Sequence, residues 1–280
     1  MSATDAPGMG IGTYDVDPPR CQAAVATALR LGYRHVDTAE LYENERAVGA
    51  ALEATSVAGT ATDDRRPAVD PDDVFVATKV HSANLAYEDV IAAAERSRER
   101  LGVERIDCLY VHWPIRAYDP AETLAAFDEL VDRGSIRHVG LSNFTPAMLE
   151  EALDHLEAPL YAHQVECHPL LQQDELRELA RSTGHHLVAY SPLAKGAVHD
   201  VPVVREIAAK HGATPAQVSL AWALAQDGVV PIPKSTSRRH LRENLAARAL
   251  TLDSDDLARL DAIEAERRCV DFPDAPWNAT

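Results

Sequence analysis

The sequence predicts an α/β fold, a (β/α)8 barrel formed by a single domain of residues 1–280. Eight short apolar runs alternate with helical segments along the chain. The runs are continuous, which is typical of parallel strands that helices cover on both faces. Eight such alternations in 280 residues match the size of this barrel. A doubly wound sheet is the alternative, but no G-x-G-x-x-G turn lies between a strand and a helix.

The predicted strands are short segments rich in Val, Ile and Leu, and the predicted helices carry apolar residues three or four positions apart. The strands comprise residues 9–14, 35–38, 74–80, 106–112, 136–141, 162–166, 186–190 and 229–232. The helices comprise residues 18–31, 43–53, 87–101, 120–131, 145–155, 174–182, 203–210, 215–226, 238–247 and 254–266. Thr145 and Pro146 show how such a helix begins, because threonine caps a first turn and proline fits its first position. Residues 55–73 are polar and are predicted to form an exposed loop.

The net charge argues against two classes of partner. The chain has 44 acidic and 27 basic residues, which gives a formal net charge of −17. A surface this acidic repels nucleic acid and anionic membranes. It also suits the salt-rich cytoplasm of a halophile-like cell, where salt screens the charge. Equal stability and activity in dilute buffer would contradict that hypothesis.

Neither the N-terminus nor the cysteines indicate export. The chain begins M-S-A-T-D-A-P-G, without the basic start and apolar run of a signal peptide. No apolar stretch is long enough to span a membrane. The four cysteines lie far apart and form no C-x-x-C pair, which is typical of free thiols in a reducing compartment. We therefore expect a cytoplasmic protein.

Polar residues stand at or just beyond the ends of nearly all predicted strands. In a barrel the C-terminal strand ends share one rim, and active sites lie there. The residues are Tyr14, Asp37 with Tyr42, Lys79, His112 with Trp113, Ser142 with Asn143, Gln164 with Glu166, Tyr190 with Ser191, and Lys234 with Ser235. Singly, each has an ordinary structural explanation. Together on one rim they predict an active site.

Four of these residues suit one reaction. A carboxylate at Asp37 can hold an ammonium at Lys79, and that cation can lower the pKa of the Tyr42 phenol below its usual value of about 10. His112 can donate a hydrogen bond to a substrate oxygen. Such a site can pass a proton to a carbonyl while another group delivers hydride. Since no side chain donates hydride, a nicotinamide cofactor is implied.

Seven segments of the chain resemble the aldo-keto reductase family, most closely its microbial 2,5-diketogluconate reductase branch. They are G-Y-R-H-V-D-T-A-E-L-Y-E-N-E, V-A-T-K-V, I-D-C-L-Y-V-H-W-P, G-L-S-N-F, Q-V-E-C-H-P, A-Y-S-P-L-A-K-G and V-V-P-I-P-K-S. They occur in order over nearly the whole chain. The resemblance implies NAD(P)H-dependent reduction of an aldehyde or ketone by a protein that is commonly a monomer. It implies NADPH as the cofactor, with NADH as a possible substitute.

The resemblance also implies roles for individual residues. Tyr42 would donate the proton, tuned by Lys79 and Asp37, and His112 would orient the carbonyl. Tyr190 would stack on the nicotinamide. The other expected cofactor contacts are Ser142, Asn143 and Gln164 at the carboxamide, Ser191, Leu193 and Gly196 at the pyrophosphate, Lys234, Ser235 and Thr236 at the adenosine end, and Glu243 and Asn244 near adenine. The expected substrate-pocket residues are Tyr14, His81, Trp113 and Trp277, the last in a short tail from about residue 267 to 280.

Three positions depart from the family pattern. His240 stands where an arginine usually grips the 2′-phosphate, which weakens the expectation of NADPH. Arg238 and Arg239 are close in sequence but should face other directions on a helix. His81 replaces a frequent tryptophan, so the pocket should be more polar. The N-terminus is also short, so the usual hairpin under the barrel should be clipped or missing.

Other interpretations stay open. A nicotinamide-binding regulatory subunit could share this fold, because fold does not fix function. A lyase or isomerase could use Lys79 as a Schiff-base amine. His163, Glu166 and His168 could suggest a metal, but neighbouring positions alternate across a strand. We therefore expect no metal.

Overall fold

The computed structural model describes residues 8–56 and 68–278. Most of the predicted loop at 55–73, including its D-D-R-R-P run, lies outside these ranges. The predicted loss of the N-terminal hairpin likewise concerns residues outside them.

The strands of the described residues form one parallel sheet in sequence order. They are β1 Ile11–Gly12, β2 His35–Asp37, β3 Phe75–Val80, β4 Ile106–Val111, β5 Ile136–Ser142, β6 Leu160–Glu166, β7 His186–Tyr190 and β8 Val229–Pro231. The Gly10 amide donates to the Pro231 carbonyl at 3.0 Å, and Gly12 bridges to Lys234. These contacts join the first strand to the last. Eight parallel strands that alternate with helices agree with the predicted (β/α)8 fold; the single-domain boundary stays a prediction.

Helices cover the outer face of the sheet. They are α1 Pro18–Leu31, α2 Glu45–Ser56, α3 Tyr87–Leu101, α4 Pro120–Asp132, α5 Pro146–His155, α6 Asp174–Thr183, α7 Pro202–His211, α8 Pro215–Ala225, α9 Arg238–Ala246 and α10 Ser254–Asp261. The main apolar core lies between them and the strands. Both faces of each strand are thereby covered, which explains the continuous apolar runs.

A smaller core fills the barrel interior. It includes Cys108 and Tyr110 of β4 and Val188 of β7. The ring of Tyr110 lies against Gly140 of β5, where an added Cβ would come within 2.4 Å of the ring. The interior is therefore a packed core at this level, and the site must lie above it.

Two predicted helix boundaries were wrong. The helix predicted from residue 43 begins at Glu45, after a 3-10 turn at Glu40–Tyr42 that ends with Glu43 in the left-handed region. The helix predicted to end at 266 stops at Asp261. Beyond it, the Arg267 amide donates to the Leu170 carbonyl instead of continuing the helix.

Two further features bear on the sequence-based expectations. Among the helices of residues 8–56 and 68–278, none has the length and apolar character needed to cross a membrane. Cys21, Cys108, Cys167 and Cys269 are all free thiols.

Candidate active site

A buried ion pair occupies the rim above the barrel core. Asp37 ends β2 and Lys79 lies near the end of β3, and they are 2% and 1% exposed. The Lys79 Nζ donates to Asp37 Oδ1 at 2.5 Å and to the Thr38 carbonyl at 2.7 Å. The second Asp37 oxygen accepts from Gln164 Nε2 at 2.7 Å. Both charges therefore have hydrogen-bond partners, as buried charges require.

This pairing argues against the Schiff-base interpretation. A Schiff-base amine must lose its proton and be free to attack. Burial lowers the pKa of Lys79, but the Asp37 charge and its hydrogen bond oppose that shift. The nitrogen is held by two oxygens rather than presented to a pocket.

Tyr42 lies beside the ion pair in the 3-10 turn. Its ring centroid is 5.3 Å from Lys79 Nζ, and its ring packs edge-on against those of Tyr14 and His112 at 5.2 and 5.6 Å. Burial, followed by the charge of Asp37, raises the pKa of Tyr42 well above 10. The predicted lowering of this pKa was wrong in its net direction, because burial and the nearby Asp37 charge both raise it. The phenol therefore holds its proton at neutral pH.

His112 follows β4 directly and is nearly buried. Its backbone amide donates to the Val80 carbonyl, and its carbonyl accepts from Asn143 Nδ2 at 2.8 Å. Burial, then the nearby charges of Lys79 and His81, lower the pKa of His112 well below 6.5. The ring is therefore neutral near pH 7, and it can donate a hydrogen bond without acting as a strong acid.

Glu40, which the sequence analysis missed, fixes the turn that carries Tyr42. Its carboxylate accepts from the His81 backbone amide at 3.0 Å and from Asn84 Nδ2 at 3.0 Å. Arg96 pairs with the same carboxylate at 3.5 Å. The turn after β2 is thereby tied to the loop after β3. No sequence signal pointed to Glu40, because its partners lie about forty residues away.

The residues predicted for the nicotinamide end lie together. The Ser142 hydroxyl donates to the Gln164 carbonyl at 2.8 Å and accepts from Asn143 Nδ2 at 3.0 Å. The Tyr190 hydroxyl donates to Asn143 Oδ1 at 2.9 Å. The Gln164 side chain also donates to Asp37, so hydrogen bonds connect Ser142, Asn143 and Tyr190 to the Asp37–Lys79 ion pair.

The loop after β7 folds back tightly. Ser191, Ala194, Lys195 and Gly196 all lie in the left-handed region, with φ of 47°, 48°, 50° and 97°. The Gly196 amide donates to the Leu193 carbonyl at 2.8 Å. Three non-glycine residues with positive φ in one short loop are uncommon, and such strain concentrates at functional sites.

A profile of the aldo/keto reductase family matches residues 8–265. The chain belongs to the aldo-keto reductase family. This confirms the resemblance found in the sequence. The chain is therefore an oxidoreductase of a family that acts on small carbonyl compounds, generally with NADPH or NADH.

Similar proteins agree with this assignment. The glyoxal reductase of Bacillus subtilis is 35% identical over 274 residues, which cover 98% of this chain and 94% of that protein. Methylglyoxal reductase DkgB of Salmonella typhimurium is 36% identical over 267 residues, which cover 94% and 95%. A crystal structure of a protein provisionally named 2,5-diketo-D-gluconic acid reductase B matches with a TM-score of 0.89 at 33% identity, covering 97% of this chain and 93% of that one. These relatives are named as reductases, and nothing in them favours a regulatory subunit.

The adenosine end of this aldo-keto reductase differs from the sequence-based expectation. Thr236, just after β8, accepts from Arg20 Nη2 at 3.2 Å. The Arg239 Nη2 lies 2.6 Å from His240 Nε2, and its Nη1 lies 3.2 Å from Glu243. The prediction that Arg239 faces away from position 240 was therefore wrong, because its long side chain folds back along α9.

The remaining predicted residues of this end fall into two groups. Lys234, Ser235 and Thr236 begin three residues after β8 ends at Pro231, in the segment that was predicted to leave the last strand. Glu243 and Asn244 lie on α9, and Asn244 is buried. Their contacts with a cofactor stay predictions.

Aromatic side chains form one wall of the rim. Trp113 packs against Phe272 at 4.8 Å and against Trp277 at 5.6 Å between ring centroids. Tyr14 is 59% exposed beside Tyr42. The tail thus reaches the residue next to His112, with Phe272 as a contact that the sequence analysis missed.

Two described clusters have the composition of a metal site: Asp253, Asp255 and Asp256 at the start of α10, and a more buried one at the end of β6. Glu166, His168 and Cys269 place ligand atoms within 4.8 Å of one another. The carboxylate, however, already accepts from His168 Nε2 at 2.9 Å and from the Cys269 and Val270 backbone amides at 2.6 and 2.8 Å. Three N–H donors use its lone pairs, so this geometry favours a structural contact; the expected absence of a metal stays a prediction.

Proposed function

We propose that this aldo-keto reductase reduces small aldehydes and ketones to alcohols with NADPH, and with NADH less well. Tyr42 is the proton donor in this proposal. The observation that carries it is the buried Asp37–Lys79 ion pair beside the protonated phenol of Tyr42, with the neutral imidazole of His112 packed against the same ring.

The residues of the rim fit a nicotinamide dinucleotide. Tyr190 offers a ring beside the amide of Asn143 and the hydroxyl of Ser142. The loop from Ser191 to Gly196 has positive φ at four of its residues, and consecutive backbone amides in such turns suit anionic oxygens. When bound, this cofactor supplies the hydride that reaches the carbonyl carbon.

Side chains of the protein supply the proton that the reduction requires. Tyr42 gives its proton to the carbonyl oxygen as negative charge develops there. The cation of Lys79 stabilises the phenolate left behind, and Asp37 keeps that cation in place. Protonation of the phenol from solvent completes the cycle.

His112 orients the carbonyl. Its neutral ring can donate one hydrogen bond to the same oxygen, and its Nδ1 is buried without a protein partner in the described chain. A fixed donor aimed at developing charge lowers the barrier, because it needs no reorganisation during the reaction.

The adenosine end supports a preference for NADPH. Lys234 can neutralise a 2′-phosphate as a point charge. Arg239 lies beside His240, where it adds a second cation that sequence reasoning had discounted. NADH remains the weaker alternative, since neither cation has a role in binding a ribose hydroxyl.

Methylglyoxal is the first substrate to test. Relatives named glyoxal reductase and methylglyoxal reductase are each about a third identical over nearly the whole chain. The aromatic wall at Trp113 and the half-buried His81 suit a small molecule with one apolar and one polar end. The monomeric state, the cytoplasmic location and the salt adaptation stay predictions.

The test follows the loss of reduced-nicotinamide absorbance with methylglyoxal. Tyr42→Phe should lower kcat by about 10²–10⁴-fold, because it removes the acid while keeping the ring. Cofactor affinity and melting temperature should not change. Tyr161→Phe, near the start of β6 and therefore at the opposite end of the barrel, is the matched control.

Two outcomes would contradict the proposal. Full turnover by Tyr42→Phe would remove Tyr42 from the reaction. Tight NADPH binding without turnover of any small carbonyl by the parent protein would instead support the regulatory interpretation.

A further inference from the structure

The C-terminal tail and the loop after β7 share a small apolar cluster, separate from the main core. Its buried members are Leu170, Ala194 and Val198. Ile263 and Cys269 pack against it from the C-terminal segment. The segment proposed to meet the cofactor therefore touches the segment that bears the aromatic wall.

Glu166 anchors the tail from one side. It ends β6, is fully buried, and accepts hydrogen bonds from the Cys269 and Val270 amides at 2.6 and 2.8 Å. Burial acts to raise the pKa of this carboxyl, but the hydrogen bonds from His168 and the two amides outweigh it and lower the pKa. The charged form is thus the one that binds the tail.

Lys195 holds the same peptide from the other side. Its Nζ donates to the Cys269 carbonyl at 2.9 Å. Lys195 lies in the left-handed loop, directly before Gly196. The amide of Cys269 is therefore fixed to the barrel, and its carbonyl is fixed to the proposed pyrophosphate loop.

The anchored residues lead straight into the aromatic wall. Asp271 accepts from Trp277 Nε1 at 2.9 Å and from Asn278 Nδ2 at 2.7 Å. The Arg268 guanidinium lies 4.1 Å from the Trp277 ring centroid. Cys269 and Val270 thus belong to the same hydrogen-bonded segment that places Phe272 and Trp277 against Trp113.

We propose that Lys195 is a positioning residue that couples cofactor binding to the ordering of the substrate pocket. The loop that contacts the cofactor and the tail that lines the pocket then become ordered together, because the Lys195 Nζ joins them at the Cys269 carbonyl. This inference rests on the proposed function, because it takes the loop as the cofactor contact. It predicts that NADPH tightens the tail before any substrate binds.

A direct contact between Lys195 and the cofactor would be a different role. In that case the lysine would affect NADPH affinity whether or not the tail were present. The two roles can be separated by removing Lys195 in the parent and in the Glu166→Gln variant, since only the coupling role needs a tail anchored to Glu166.

The experiment measures hydrogen exchange at the tail amides, with and without NADPH, together with NADPH affinity and the KM for methylglyoxal. In the parent, NADPH should slow exchange at Cys269 and Val270. Lys195→Met should abolish that slowing and raise KM by roughly tenfold, the size of a typical coupling, with kcat little changed. Arg181→Met, an exposed cation on α6, is the matched control and should behave as the parent.

Glu166→Gln provides a second variant that keeps the side-chain shape. It should speed hydrogen exchange at the Cys269 and Val270 amides both with and without NADPH, because it weakens the acceptor of both amides. In the Glu166→Gln background, Lys195→Met should change neither KM nor NADPH affinity further.

Each contrary outcome is distinct. If NADPH binds but leaves tail exchange unchanged, the coupling is absent while the reductase proposal stands. If Lys195→Met weakens NADPH binding equally in the parent and in the Glu166→Gln background, the lysine contacts the cofactor directly and the proposal fails. If the tail tightens but no carbonyl is reduced, the coupling stands and the reductase proposal fails.

Discussion

Both ends of the barrel interior contain polar side chains, but one end holds a pair of opposite charges and the other holds uncharged rings. At the C-terminal end, Asp37 and Lys79 carry opposite charges and satisfy each other. At the N-terminal end lies a layer of rings on the same strands, which we call the bottom layer. It consists of His35, Phe75, His138, Tyr161 and His186, with neighbouring centroids 4.0 to 6.5 Å apart.

Two histidines of the bottom layer, His35 and His138, stay neutral. Both ring nitrogens of His35 are buried without a hydrogen-bond partner in the described chain. Burial lowers the pKa of His35 to about 4, with the Asp37 charge opposing and the Lys79 charge assisting the shift. Burial likewise lowers the pKa of His138 to about 4, assisted by Arg137, Arg105 and His186. The comparison teaches that one interior keeps charge only where each charge has a partner, and that it keeps imidazoles uncharged elsewhere.

The largest effect should come from breaking the ion pair. Lys79→Met leaves Asp37 buried without its counter-charge, which should cost about 3–5 kcal/mol of unfolding free energy. Turnover should fall by at least about a hundredfold, because the phenolate loses its stabilising cation. Urea unfolding and methylglyoxal reduction measure the two losses.

The double variant Asp37→Asn/Lys79→Met separates stability from catalysis. It removes both charges, so most of the stability should return while activity stays lost. A double variant as unstable as the single one would show that the cost comes from packing rather than from an unpaired charge.

The next effect is the acid sensitivity of the bottom layer. A histidine whose folded pKa is lowered binds fewer protons folded than unfolded, so stability is lost as pH falls from about 6.5 to about 4. For His35 alone the full shift corresponds to roughly 3 kcal/mol. His35→Leu cannot titrate, so its urea midpoint should fall less across this window than that of the parent.

His155→Gln, at an exposed position on α5, is the control for this prediction. It should reproduce the pH dependence of the parent. Equal pH dependence in His35→Leu and the parent would mean that His35 is not kept neutral by the fold.

Sequence reasoning found the strands and the polar residues at their ends because both leave local signals; the catalytic roles of those residues stay predictions. Continuous apolar runs mark covered strands, and a strand end at Asp37 or Lys79 places a polar residue on a known rim. The direction of the Tyr42 pKa shift was missed because burial decides it, and burial depends on the whole fold.

Contacts between distant segments were also missed. Gln164 reaches Asp37 across 127 residues, and Glu166 reaches the Cys269 amide across 103. Such contacts depend on side-chain rotamers and on the path of the tail after α10. Neither leaves a periodic or compositional mark in the sequence, so no pattern could have predicted them.

The smallest predicted effect tests whether the bottom layer serves stability alone. His138 stacks on Tyr161 with centroids 4.0 Å apart and planes 11° from parallel. His138→Asn removes that ring contact, which should cost about 1 kcal/mol of unfolding free energy, the range of an aromatic pair. Methylglyoxal kcat and KM should stay at parental values, because the packed core around Tyr110 separates this ring from the ion pair. A changed KM at unchanged stability would show that the two ends of the barrel communicate, and the contrast between a charged catalytic end and a neutral structural end would then be lost.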